Sequence, residues 1–215
     1  MADLHIYIGY REVSSWSLRA WLPLKKTGMP FDETLIRYRL PDHKERLVAV
    51  SPTGKVPLLD NDGVKVWESL AILEYLADLY PDKGFWPTDV SARAHARAIS
   101  AEMLGGFNAL RSECPMNMAR KHAALAVSDG ARRDVSRIEQ IWAECLEKSG
   151  GPFLFGEFSN ADAMYAPVVN RLEIYQLSDH GSVKSYSAAM KALPAWQEWQ
   201  AAGRAEPWIY PEDEA

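Results

Sequence analysis

Ser51-Pro52-Thr53-Gly54-Lys55-Val56-Pro57-Leu58-Leu59-Asp60-Asn61-Asp62-Gly63-Val64-Lys65-Val66-Trp67-Glu68-Ser69 is the stretch on which the reading of this chain turns. Val56 to Asp60 and Val64 to Trp67 are short apolar runs on either side of Asn61-Asp62-Gly63. Asn and Asp followed by Gly supply the positive φ angles of a tight hairpin turn, so the two runs are expected to pair as antiparallel strands. Ser69 then opens the apolar-periodic segment SLAILEYLADLY, which Pro81 stops. That pattern predicts a helix with Ser69 as its N-cap.

Upstream of this stretch, residues 4–9 (LHIYIG) alternate and read as a strand. Residues 15–27 place Trp16, Leu18, Trp21, Leu22 and Leu24 at helical spacing, with Gly28 as a stop. The interior Pro23 is expected to kink that helix. Phe31 to Tyr38 reads as a second strand and residues 42–50 as a short amphipathic turn or helix. The order up to Pro81 is therefore βαβ and then ββα. Downstream, residues 82–92 (DKGFWPTDVSA) read as a linker, and no strand follows. Residues 93–112, 128–148, 160–176, 183–192 and 195–203 all fit helices, and the tail after Pro207 is irregular. The expected class is α+β followed by all-α, with one domain over 1–82, a linker over 83–92 and an all-helical domain over 93–215.

Bulk properties narrow the function classes. The chain has 215 residues, 47% hydrophobic and 25% charged, which suits a packed globular protein. Net charge is −5 and no long basic run occurs. Nucleic-acid binding, which depends on phosphate neutralisation by Lys and Arg, is not expected. No apolar run reaches the ~18 residues of a membrane span. MADLHIYIGY lacks the charged and apolar regions of a signal peptide, and two cysteines, Cys114 and Cys145, do not make a disulfide framework. A cytoplasmic protein is the expectation, with the Cys114 thiol buried and inert.

Two features carry chemistry on physical grounds alone. The N-terminus of the helix after Glu68 offers free N–H groups and a partial positive charge, which suits a carboxylate. Ser14-Ser15-Trp16-Ser17-Leu18-Arg19 lies just after the first strand and opens the first helix, so its hydroxyls stand at another helix N-terminus. No cysteine is present there, which excludes dithiol exchange at that point. Ser159-Asn160-Ala161-Asp162 is a capping-box pattern whose role is folding.

The βαβ–ββα order is that of a thioredoxin-like domain. Followed by helices, and with S-P-T-G-K-V-P, Glu68-Ser69 and S-S-x-S in place, the whole chain resembles the cytosolic glutathione transferase family. The resemblance implies a cis peptide at Val56–Pro57, with Val56 offering its N–H and C=O to the cysteinyl backbone of glutathione, in the manner of strand addition. It implies that Glu68 meets the γ-glutamyl ammonium and Ser69 the carboxylate, with Lys55 and His43 in places where the family often holds the glycyl end. The N-terminal pattern looks like the serine-type, zeta-like group, whose pattern is S-S-C-S; here Trp16 stands in place of that cysteine. A hydroxyl from Ser14 or Ser15, aided by the helix end, would stabilise the thiolate of glutathione, whose free pKa is about 8.5. Tyr7 and Tyr10 are the alternatives, because many family members use an N-terminal tyrosine.

Trp16, Phe107 and Arg111 are the candidate lining of the second-substrate pocket, with Met116 and Met118 nearby. The resemblance implies a glutathione transferase acting on a small electrophile, a role in detoxification, a homodimer, and no metal. Two alternatives stand beside it. One is a zeta-like cis-trans isomerase of the maleylacetoacetate type, for which Arg171 is the nearest carboxylate-binding arginine, in a register that matches poorly. The other is a non-catalytic binding protein of the same fold, akin to stringent-starvation-like factors and elongation-factor subunits.

Overall fold

Leu4, Ile6 and Ile8 alternate with His5 and Tyr7, and this alternation makes β1 (Leu4–Ile8) an inner strand. The three aliphatic side chains are buried and the two rings between them are partly exposed. The computed structural model describes residues 4–26, 28, 30–37 and 40–208. Around β1 lie α1 (Ser15–Lys26), β2 (Asp32–Leu35), α2 (His43–Val50), β3 (Leu58–Asn61), β4 (Val64–Trp67) and α3 (Ser69–Leu79). The strands form one sheet in the order β2-β1-β3-β4. β1 runs parallel to β2, with His5 opposite Asp32, and antiparallel to β3, with Tyr7 opposite Leu58. β3 and β4 are the expected hairpin, with Asn61 opposite Val64. Asp62 (φ 51°) and Gly63 (φ 88°) make its two-residue turn, and the Asp60 carboxylate accepts from the Gly63 N–H at 2.8 Å.

The strand bounds differ from the sequence reading for a simple reason. The run at 56–60 becomes a strand only from Leu58, because Pro57 has no N–H to give to a ladder. β2 is four residues long, not the eight of 31–38, although the Ile36 N–H still donates to Ile8 O at 2.8 Å. Thr27 and Tyr38, which the sequence reading also assigned, lie outside the described residues.

Beyond α3, the described elements are a 3-10 turn (Pro81–Lys83) and then the helices α4 (Val90–Gly105), α5 (Asn108–Glu113), α6 (Asp129–Ser149), α7 (Asn160–Ile174), α8 (Gly181–Lys191) and α9 (Pro194–Ala205). The helix expected over 93–112 starts earlier and is broken. Asp89 accepts from the Ala92 N–H at 2.8 Å, which caps α4 and draws Val90, Ser91 and Ala92 out of the expected linker. Phe107 takes a left-handed conformation (φ 55°, ψ 39°), and this ends the run between α4 and α5. Its ring is buried in the core, so a tertiary contact overrides the local periodicity.

α7 is the axle of the molecule. Every residue in it except Glu173 is buried. Asp162 closes the capping pattern at its start, accepting from the Ser159 N–H at 2.8 Å and the Ser159 hydroxyl at 3.0 Å. α1 lies against α7, with Arg19 Nε donating to Met164 O at 2.8 Å. Asn160 ties α7 to the sheet side of the molecule: its N–H donates to Phe85 O at 2.8 Å and its amide to Leu73 O at 3.0 Å. A continuous core therefore runs from β1, α1 and α3 through α4, α6, α7, α8 and α9. Among the described residues no helix is long and apolar enough to cross a membrane.

Candidate functional site

The decisive stretch and the two helix starts meet at one cavity of about 270 Å³. Trp16, Thr53, Lys55, Val56, Pro57, Glu68, Ser69 and Arg111 line it. Trp16 comes from the first turn of α1, Thr53 to Pro57 from the loop before β3, Glu68 and Ser69 from the start of α3, and Arg111 from α5. A larger cavity, about 580 Å³, lies between α4 and α6, with Cys145, His95 and Phe155 on its walls. It holds none of the motif residues, so size does not choose the site; the convergence of polar groups does.

Each wall offers a different interaction. The Val56–Pro57 peptide is cis, and among the described residues the Val56 N–H and C=O make no hydrogen bond. Two main-chain groups of the kind that pair with an extended peptide are thus left open beside the sheet. Glu68 holds the N-cap position of α3 with φ 67° and ψ 127° and makes no side-chain cap bond. This corrects the expectation that Ser69 is the cap: Ser69 is the first helical residue, and among the described residues its hydroxyl meets only Met164 Sδ, at 4.0 Å. A non-glycine residue in this part of φ/ψ space costs roughly 1–3 kcal/mol, a cost typically tolerated where a site needs the geometry. The result is a helix N-terminus with unsatisfied N–H groups in the cavity wall and an exposed carboxylate beside it. Lys55 adds an exposed ammonium.

Ser14 and Ser15 sit at the entry to α1, outside the cavity lining. The Ser14 N–H donates to Tyr10 O at 2.8 Å, and Ser14 O accepts from the Leu18 N–H at 3.1 Å. The Ser14 hydroxyl donates to Ser17 Oγ at 2.8 Å, which also accepts from the Gly9 N–H at 3.0 Å. The Ser15 hydroxyl makes no hydrogen bond among the described residues. Of the alternative donors, Tyr10 is buried in the core and Tyr7 stacks on His5 with ring centroids 4.5 Å apart.

Two expected site residues stand elsewhere. His43 is on α2, and its Nδ1 lies 2.7 Å from Leu40 O, a local contact away from the cavity. Phe107 is 6% exposed and belongs to the core at the α4–α5 break. Arg111 does reach the cavity, because its Nη1 donates to Leu104 O (3.2 Å) and Gly106 O (3.3 Å), carbonyls that the break sets free. Its guanidinium stands 4.8 Å from the Trp16 ring centroid, and that of Arg19 stands 4.3 Å from it. Thr53 was missed by the sequence reading, although it lies inside the S-P-T-G-K-V-P stretch. Arg19 was read only as part of a motif, and nothing in its sequence neighbourhood signals that it is fully buried. Both cysteines are buried, and burial pushes each thiol up to about 11. Among the described residues no group of His, Cys, Asp and Glu is arranged to hold a metal.

Comparison with known proteins bears on this geometry. Residues 13–79 match the family model described as glutathione S-transferase, N-terminal domain, and residues 122–202 match glutathione S-transferase, C-terminal domain. The maleylacetoacetate isomerase of Rattus norvegicus is 29% identical over 203 residues, covering 89% of this chain and 89% of the relative. Glutathione S-transferase omega-2 of Mus musculus is 27% identical over 186 residues, covering 84% of this chain and 72% of the relative. A glutathione transferase homolog from Burkholderia, solved with bound glutathione, superposes with a TM-score of 0.74 at 24% identity, covering 96% of this chain and all of the other. Glutathione transferase Omega 2S from Trametes versicolor, solved with 2,4-dihydroxybenzophenone, gives 0.72 at 20% identity and covers 94% of each chain.

Proposed function

The chain belongs to the glutathione S-transferase family, and from that premise we propose that it is a glutathione-dependent enzyme that activates the thiol with a serine at the start of α1. The observation that carries this reading is the meeting of Val56–Pro57 and Glu68–Ser69 in one cavity. The cysteinyl backbone of glutathione pairs with the open Val56 main chain. The γ-glutamyl ammonium meets Glu68, and its carboxylate takes the first-turn N–H groups of α3 and the Ser69 hydroxyl. Lys55 meets the glycyl carboxylate.

The thiol then lies towards Ser14 and Ser15. Hydroxyl rotors turn freely, so Ser17 can donate to Ser14 while Ser14 donates to sulfur. The thiol proton passes to water. The sulfur attacks an electrophilic carbon, a C–S bond forms, and the leaving group departs with its electron pair. Proximity in the cavity replaces a bimolecular encounter.

A second reading is isomerisation: the sulfur adds to a double bond, the bond rotates, and the thiolate leaves again. The names of relatives such as the rat maleylacetoacetate isomerase favour it. Both readings go with a cytoplasmic homodimer that clears electrophiles. The part-exposed Trp67 and Leu79 and the exposed Val90 suit a buried contact between copies, which sedimentation equilibrium measures.

Calorimetric titration of glutathione into wild type and Glu68→Gln tests the site. Removing one charge-assisted contact is expected to weaken binding about 10- to 100-fold. Equal affinity in the two proteins, or no binding by wild type at millimolar glutathione, sinks the reading.

A further inference from the structure

The loop that leads to the serines takes its geometry from residues far along the chain. Residues 10–14 form a turn closed by the Ser14 N–H, which donates to Tyr10 O at 2.8 Å, and Arg11 and Glu12 lie inside it. All four main-chain polar groups of those two residues are bonded to the helical part of the molecule. The Arg11 N–H donates to Glu206 Oε1 at 2.9 Å and the Glu12 N–H to Glu206 Oε2 at 3.1 Å. Arg11 O accepts from Trp199 Nε1 at 2.8 Å, and Glu12 O accepts from the Met118 N–H at 2.9 Å. Met118 O accepts in turn from Arg204 Nε at 3.0 Å. The loop, the segment at Met118, the last turn of α9 and Glu206 therefore close into a ring.

Glu206 supplies two of the four holds on the loop. Trp199 and Met118 are buried in the core and have packing roles of their own. Glu206 is only partly buried and stands at the C-cap of α9, where its N–H donates to Gly203 O at 3.3 Å. A carboxylate at a helix C-terminus faces the negative end of the helix dipole, so α9 gains nothing from it. Among the described residues it makes no ion pair. What it does make is a pair of charge-assisted bonds to consecutive N–H groups.

A shift at Arg11 and Glu12 passes directly to the start of α1. Ser14 closes the turn, its carbonyl accepts from the Leu18 N–H at 3.1 Å, and Trp16 two residues on lines the cavity. A hydrogen bond from a hydroxyl to a thiolate is sensitive to such a shift, and a misplacement of about 1 Å at a reacting group costs on the order of 100-fold in rate.

Resting on the glutathione reading and deepening it, we infer that Glu206 is a positioning residue for thiol activation: its carboxylate clamps the Arg11 and Glu12 N–H groups, and the clamp holds the Ser14 and Ser15 hydroxyls where one of them donates to the glutathione sulfur. Glu206 is not among the residues that line the cavity and acts only through the loop. The acidity of a thiol bound beside β3 and α3 is thereby set from the segment that follows α9.

Thiolate absorbance of bound glutathione against pH reads the effect. In Glu206→Gln one oxygen still accepts, while the amide sets its own N–H groups against the second loop N–H. The bound thiol is expected to titrate about one pH unit higher, part of the worth of a hydrogen bond to a charged sulfur. S-methylglutathione has no thiol to ionise, and it is expected to bind wild type and Glu206→Gln alike in calorimetry. Glu206→Asp keeps both oxygens on a side chain one methylene shorter, and its titration is expected to fall between the two. Melting curves of both variants keep the assay below the unfolding transition. In the Ser14→Ala/Ser15→Ala background, Glu206→Gln is expected to cause no further shift, because the groups through which it acts are gone.

A folded Glu206→Gln with a lower Tm and an unmoved titration makes Glu206 a structural tie alone and overturns the proposal. An equal shift with and without the serines overturns it too, since Glu206 then reaches the sulfur by another route. If wild type binds glutathione and S-methylglutathione, either result leaves the glutathione reading standing. If wild type binds neither, that reading falls and the positioning role falls with it.

Discussion

At the scale of the residue, the question is where one proton points. The Ser14 hydroxyl donates to Ser17 Oγ at 2.8 Å. The Ser15 hydroxyl, one residue on, makes no hydrogen bond among the described residues. In Ser14→Ala, glutathione affinity is expected to hold while the thiol titrates about one to two pH units higher, the worth of one hydrogen bond to a charged sulfur. Thiolate absorbance of bound glutathione against pH reads this directly. If Ser15→Ala moves the titration and Ser14→Ala does not, Ser15 is the donor; if neither moves it, the serine mechanism fails. Much of the cavity was legible here. Lys55, Val56, Pro57, Glu68 and Ser69 belong to one continuous stretch whose strand, turn and helix signals are local. The role of Arg19 was not legible, since whether a guanidinium is solvated or buried beside two others depends on distant segments, those that carry Arg111, Met164 and Arg171.

At the scale of the element, α9 holds the loop that leads to Ser14. Trp199 Nε1 donates to Arg11 O at 2.8 Å, and the Glu206 carboxylate just past the helix accepts from the Arg11 N–H (2.9 Å) and the Glu12 N–H (3.1 Å). Gly203 is the point of closest approach: a Cβ there would stand 3.0 Å from both Arg11 C and Glu12 N. All of those atoms are main chain, so they yield only if the loop moves. Gly203→Ala gains up to about 1 kcal/mol of helix propensity and loses roughly 1–3 kcal/mol to overpacking. A net loss is expected, seen as a fall in Tm of about 2–4 °C together with weaker thiolate formation at Ser14. A Tm that holds or rises shows that the loop has room to move. The sequence read α9 as a helix from its pattern. It gave no sign that the glycine in it serves the N-terminal loop, because that contact joins the two ends of the chain.

At the scale of the whole molecule, Asp162 sits in the core at the start of α7. It is 0% exposed and takes hydrogen bonds from the Leu154 N–H (3.1 Å), the Ser159 N–H and hydroxyl, and the Tyr186 hydroxyl (3.0 Å). Burial pushes its carboxyl up from 3.8 to about 6, and the hydrogen bonds pull it back only in part. A raised native pKa means that the folded protein holds the proton more tightly than the unfolded chain. The stability from this group is therefore complete below about pH 4 and lost as pH rises through about 6, a change of roughly 3 kcal/mol. Urea unfolding of wild type and Asp162→Asn at pH 4.5 and pH 7 isolates it. The stability of wild type relative to the variant is expected to fall between the two; an unchanged difference shows that the site does not titrate in that range.

The class, the element order and the stretch that holds most of the cavity were determined by the sequence itself, because turn chemistry, strand alternation and helix start signals act within a few residues. Tertiary structure alone decided the rest: the break at Phe107 that turns Arg111 into the cavity, the removal of His43 from it, and the gathering of Arg19, Arg111 and Arg171, which form no ion pair among the described residues. The break and the arginine cluster depend on burial, and burial is set by which distant segments close over a side chain, a property that no local pattern encodes.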